Sequence, residues 1–217
     1  MGRFITYDVV PSIAYCTNDI QFPNTATTVW TFTGKAIGTA TTDRLVIVST
    51  WVIKPGGTSR TWTVTIGGTA ATEIAGTNAS TSSGGTADSE TRMFAATVPS
   101  GTTANIVVTT SASTTGCAIG IWSAYNLAST TPVAAVASTT TPRNLSLNVS
   151  AAGVACGLSF HNVSSSWTGM TEDFDNVIAG LQHSGGSYTA TTAQSPLSVT
   201  VTPSSGIGGV GNAVSFR

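Results

Sequence analysis

Hydrophobic and polar positions alternate with period two along most of this chain, and no window of useful length carries apolar residues at helical spacing. Arg44 to Ile53 (RLVIVSTWVI) reads as a long central strand, buried on both faces in its first half. Thr61 to Ala75 then gives two alternating segments separated by Gly67-Gly68. Glycine reaches positive φ without steric cost, as a two-residue hairpin loop demands, so a tight hairpin is predicted there. Thr77 to Thr86 is a small-residue polar loop, and a strand follows at Thr91 to Val98. Pro99-Ser100-Gly101 turns the chain into a further strand over Ala104 to Thr110.

Three later segments share one pattern: ANIVVTTSASTTGCAIGIW, NLSLNVSAAGVACGLSF and PLSVTVTPSSGIGGVGNAVSF. Each has an alternating strand, a short small-residue link, and a second strand of alternating small and large apolar residues that closes on an aromatic. The pattern predicts a hairpin used three times. A parallel sheet would need crossover helices, for which no segment is suited. Roughly twelve strands with turns every 8–12 residues give an all-β, antiparallel two-sheet sandwich of jelly-roll-like type. Residues 25–217 are expected to form it as a single domain. Residues 1–24 differ, holding few Ser or Thr but Phe4, Tyr7, Tyr15 and Phe22. They read either as an extended N-terminal arm or as the first sandwich strand.

Composition narrows the chemistry. The chain has 217 residues with 40 Thr and 26 Ser, and only 8% are charged, against about 25% in an ordinary domain. Net charge is −1, which offers no basic surface to phosphates, so nucleic acid is not an expected partner. No run approaches the ~18 apolar residues of a membrane helix, so no membrane partner is expected either. The opening MGRFITYDVV lacks a basic-then-apolar secretory pattern, so no secretory signal is expected.

Candidate catalytic groups are sparse. Counting along VACGLSFH places His161 on the outward face of its strand, and His183 falls in a Gly/Ser-rich turn. No Ser lies in a G-x-S-x-G elbow. Glu172, Asp173 and Asp175 form the densest acidic cluster, read as a charged strand edge in preference to a calcium site. Cys117 and Cys156 lie in apolar runs as inert thiols, whereas Cys16 stands outside them as the candidate for an intermolecular bond. Of the five tryptophans, Trp167 is the expected exposed one. No catalytic residue, cofactor or metal is assigned.

The phrases DRLVIVSTWVI, VTIGGTAATEIA, VPSGTTANIVVT, AIGIWSAYNL and WTGMTEDFD resemble β-sandwich structural proteins of tailed-bacteriophage virions, among them head decoration (cement) proteins. The resemblance spans roughly residues 40–217 and carries no catalytic signature. It implies a non-enzymatic virion protein at the capsid surface that binds the major capsid protein lattice as a homotrimer. The leader supplies the expected partner-binding residues Arg3, Phe4, Tyr7, Tyr15, Cys16 and Phe22. A glycan- or receptor-binding module of a phage fibre or bacterial surface is the alternative, and it calls for an exposed aromatic platform or bound calcium.

Overall fold

A computed structural model describes residues 9–23, 25–56, 58–81, 88–161, 163–178, 181–205 and 209–217. It contains no helix among the described residues and every ladder in it is antiparallel, the sandwich class expected. The first half holds β1 (Ser12–Gln21), β2 (Thr27–Ala36), β3 (Leu45–Ile53), β4 (Trp62–Ile66), β5 (Thr69–Glu73), β6 (Ala79–Ser80), β7 (Ser89–Thr97), β8 (Thr103–Thr114) and β9 (Gly116–Tyr125). The second half holds β10 (Ala134–Ser138), β11 (Arg143–Asn144), β12 (Leu147–Val149), β13 (Val154–His161) and β14 (Ser165–Thr168). It ends with β15 (Thr171–Ile178), β16 (Leu181–Thr189), β17 (Gln194–Leu197), β18 (Thr200–Pro203) and β19 (Val210–Phe216).

The first half is one sheet in the order β1-β9-β3-β7-β5-β4-β8-β2, with β6 beside β7. Strand β5 pairs with β4 and with β7, and through it the sheet rolls over on itself. The free ends of the roll meet where the Gln21 side chain donates to the Thr31 carbonyl at 2.8 Å and Lys35 pairs with Asp19 at 2.6 Å. Trp30, Phe32, Val46, Val48, Val64, Phe94, Ile106 and Ile121 fill the space it encloses.

A second sheet, β10-β19-β13-β16-β15, lies against the β9-β3-β7 wall of the roll. Leu45, Ile47, Trp51, Trp122, Leu158, Phe160, Phe174 and Val214 make the core between them. Two short sheets, β11-β18-β14 and β12-β17, cover the far face of the second sheet over Leu145, Leu147, Val149, Val199, Val201 and Ala213. The sandwich is thus a stack of four layers around three cores.

This stacking explains the central strand. All nine residues of β3 are buried, beyond the first half expected. Val46, Val48 and Val52 point into the roll, while Leu45, Ile47, Trp51 and Ile53 point at the second sheet. Strands β9, β13 and β19 are buried on both faces in the same way.

The three repeated segments are not hairpins. Strand β8 pairs with β2 and β4, but β9, which follows it, pairs with β1 and β3. Likewise β12 pairs with β17 and β13 with β16 and β19, while β18 pairs with β11 and β14 and β19 with β10 and β13. Each repeat is an arch from an outer layer to an inner one. An arch and a hairpin share the same strand–link–strand pattern. What separates them is the second strand, which lacks exposed polar positions because both of its faces are covered.

The predicted hairpin is present, with Gly67 and Gly68 at φ 59° and 85° between β4 and β5. Residues 12–21 take the strand alternative, since β1 pairs with β9 from Ser12↔Tyr125 to Gln21↔Cys117. Two glycines matter to the packing of the middle core. A Cβ on Gly120 would stand 2.9 Å from Trp122 Cη2 and 3.1 Å from Phe174 Cζ, and one on Gly185 would stand 2.8 Å from Trp122 Cζ2. The rings fit only because those strand positions carry no side chain. Gly185→Ala is therefore expected to lower stability by about 1–3 kcal/mol, read as a reduced denaturant midpoint with unchanged slope.

Candidate functional site

The middle core carries most of the polar chemistry of the chain. Tyr15 of β1 stacks on Phe174 of β15 with ring centroids 5.3 Å apart, and Trp51 stacks on Phe160 at 3.9 Å. His183 sits edge-on to Phe174 at 5.0 Å. Trp51 Nε1 donates to His183 Nδ1 at 3.2 Å, which fixes the tautomer and makes Nε2–H the donor to Asn18 Oδ1, also 3.2 Å away. Asn18 in turn donates to the Tyr15 hydroxyl and accepts from Asn176. One network thereby joins β1 and β3 of the roll to β15 and β16 of the second sheet.

Two further pins cross the same core. Trp122 Nε1 donates to Asp173 Oδ2 at 2.8 Å, and the Ser187 hydroxyl donates to Oδ1 at 3.1 Å. A bulge between Glu172 and Phe174 lets Asp173 and Phe174 both take part in these middle-core contacts. Asn212 of β19 accepts from Ser49 Oγ at 2.8 Å and donates to Thr91 Oγ1 and the Thr77 carbonyl. A buried Asn inside VGNAVSF was the signal for this pin, since an amide in an apolar strand needs partners.

His161 does not face outward. It is fully buried, because the short outer sheets cover the second face of β13. Its Nδ1–H donates to the Val163 carbonyl at 2.8 Å, and Nε2 accepts from Ser184 Oγ at 3.4 Å. That hydroxyl also meets Ser165 Oγ and accepts from Trp167 Nε1, both at 2.9 Å. Trp167 is accordingly half-buried, not an open platform. A Ser–His pair exists here, but a backbone carbonyl stands where a catalytic carboxylate would orient the ring. Burial pushes His161 down to about 4, with Arg143 adding, and pushes His183, which lies in strand β16 and not in a turn, down to about 3. Neither ring is poised as a general base near neutral pH.

The acidic cluster does not converge. Asp173 is engaged by Trp122, Asp175 accepts from Gln182 and the Ser165 amide, and Glu172 is exposed. Among the described residues no group of three His, Cys, Asp or Glu is placed to hold a metal ion. Strand β15 is an edge of its sheet, the position at which charges were expected.

Of the leader residues, Tyr15 is engaged in the middle core, and Phe22 lies against Gly116 yet stays 43% exposed. Cys16 sits in β1 at a bulge, half-buried against the core of the roll, and burial raises its thiol pKa. Arg3, Phe4 and Tyr7 lie outside the described residues. A groove of about 640 Å³ runs between β5, β7 and residues 130–135; small Ala and Thr side chains dominate it, and Glu73 is its ionisable group. No family model, curated protein or solved structure matches this chain.

Two outcomes follow from these environments. Cys117, pushed up to about 12 by burial, and Cys156, raised well above its usual value, are expected to resist a thiol reagent until unfolding, with Cys16 labelled first and slowly. Mass spectrometry of the labelled native protein checks this. Both histidines have folded values below the unfolded value of about 6.5, so the unfolded chain takes up protons first as pH falls. Stability is full above pH ~6.5 and is lost below it toward pH ~4, by up to about 1.4 kcal/mol per pH unit for each histidine. Asp173, whose value is raised by burial, opposes this loss in the carboxylate range. Denaturant melts across pH should show the decline, and His161→Gln should flatten it by about half.

Proposed function

We propose that this chain is a non-enzymatic structural protein of a tailed-bacteriophage virion, a decoration protein that binds the outer face of the major capsid lattice as a homotrimer. One observation carries the reading: the groups that could do chemistry are spent on holding layers together. His183, Asn18, Asp173, Trp122 and Asn212 all pin the roll to the second sheet. A chain rich in Thr and Ser that invests its polar side chains in this way supplies a rigid, nearly uncharged surface. The resemblance of its strand and turn phrases to virion β-sandwich proteins points the same way.

The flanks of β1 favour docking at this edge. Val9 is 66% exposed and Val10 60%, and Phe22 lies at the other end of the strand. Interface energy concentrates in aromatic and Arg anchors that become buried on binding. At this edge Phe22 is such an aromatic, and Val9 and Val10 add apolar surface. Tyr15 is committed internally, so the docking residues are Val9, Val10 and Phe22, with Arg3, Phe4 and Tyr7 ahead of them. The receptor-binding alternative has less support. Trp30, Trp51, Trp62 and Trp122 are buried and Trp167 is tied to Ser184, which leaves no tryptophan platform among the described residues.

Purified protein mixed with empty capsids of its phage should co-sediment to saturation, and the free protein should have the mass of a trimer. Removing residues 1–9 together with Phe22→Ala should raise the Kd for capsids by tenfold or more, about 1.4 kcal/mol or above. The chain should still fold, with a lowered melting temperature from the lost Phe22–Gly116 packing. A chain that ignores capsids but binds on a glycan array would establish the receptor reading instead.

A further inference from the structure

Two arginines are completely buried, and they are treated in opposite ways. Arg44 donates Nε to the Val98 carbonyl, Nη1 to Gly38 and Nη2 to Ser100, at 2.8–2.9 Å. Its charge is spread over backbone oxygens. Arg143 of β11 is equally buried, yet among the described residues Nε, Nη1 and Nη2 all lack a hydrogen-bond partner. Lys35 pairs with Asp19, and Arg92 with Glu73 and Glu90, whereas Arg143 takes part in none of these ion pairs.

The fold makes room for this side chain deliberately. Arg143 starts in the outermost layer, paired with Val201, and runs inward over β19. Its Cδ lies 3.2 Å from where a Cβ on Gly211 would be. Its Nη2 takes the space that a Cβ on Gly209 would need, beside the Phe160 carbonyl. Gly209 and Gly211, at the start of β19, therefore form a trough for the arginine. Ser159 is the register partner of Gly211 on β13, so its side chain flanks that trough. The Ser159 hydroxyl is also buried and also lacks a partner among the described residues. Two residues on, His161 faces the same side as a neutral ring, and the charge of Arg143 helps to keep it neutral.

A guanidinium stays protonated, and stranding it unpaired in an apolar interior is among the costliest arrangements a fold can hold. The unused groups here can all donate: three guanidinium nitrogens and a hydroxyl. We propose that Arg143 and Ser159 form a buried binding site for a small inorganic monoanion of halide size. A single charge matches one guanidinium with no acid beside it. Complete burial under β11 and β18 favours a compact ion over a phosphate or a side-chain carboxylate. Anion binding neutralises the charge and so ties the outermost layer to the second sheet. This inference stands independently of the virion reading.

Melting temperatures of the full chain in sodium gluconate, chloride and bromide, at one pH and one ionic strength, test the site. The native protein should melt progressively higher as either halide replaces gluconate, because a ligand that binds only the folded state stabilises by mass action. Arg143→Met should remove the halide dependence, and Ser159→Ala should shift it to about tenfold higher halide, the loss of roughly one hydrogen bond. Crystals grown in bromide should show an anomalous peak beside the Arg143 guanidinium. Equal melting in gluconate and halide overturns the proposal, as does an unchanged halide response in Arg143→Met. If that variant does not fold, an unchanged response in Ser159→Ala together with no bromide at Arg143 overturns it as well.

Discussion

The central constraint on this molecule is that its two inner layers are covered on both faces. In an ordinary two-sheet sandwich every strand has a wet side on which polar residues are free. Here β3, β9, β13 and β19 have no such side, and each polar atom they carry must find a protein partner or incur a desolvation cost. Ser49, Thr50, Trp51 and Asn212 meet that demand by bonding across strands or across layers. The scarcity of charge has the same origin, because a stack of this kind leaves few strand positions where an ionised side chain is tolerable.

Those cross-layer bonds also set register. The middle core is otherwise made of aliphatic and aromatic side chains, whose attraction is non-directional. An Asn that must face Ser49, Thr91 and the Thr77 carbonyl together admits one alignment of β19 over the roll. The tautomer-fixed His183, held between Trp51 and Asn18, does the same for β16. A slip by one residue would turn Asn212 away from its partners and place Ala213 against Ser49. Buried polar contacts thus act here as alignment marks between hydrophobic sheets.

Much of the strand structure was legible from periodicity, and the Gly67-Gly68 turn was legible from backbone sterics alone. The layer count was not. A strand covered on one face and a strand covered on both differ only in whether the alternate positions are polar. Small residues such as Ala155, Gly157 and Ala213 blur that difference, since they fit water and core alike. For the same reason the arches passed for hairpins and His161 passed for a surface residue. The pins at Asn18 and Asp173 depend on positions more than 150 residues apart and about 50 residues apart respectively, which no local pattern encodes. The trough that holds Arg143 is visible in sequence only as two glycines, Gly209 and Gly211, with nothing to say what fills them.

The arches have a consequence for how the chain reaches its fold during synthesis. Consecutive strands join different layers, so most ladders close over long loops, and such topologies fold slowly. Emergence from the ribosome sharpens the problem. By residue 125 every strand of the roll has been made, but the wall that carries Leu45, Ile47, Trp51 and Trp122 has no cover. Its cover includes β19, the last strand of the fold in chain order. The nascent protein therefore holds a broad aromatic face open until β19 has been made. Any shielding of that face in the interval has to come from outside the chain.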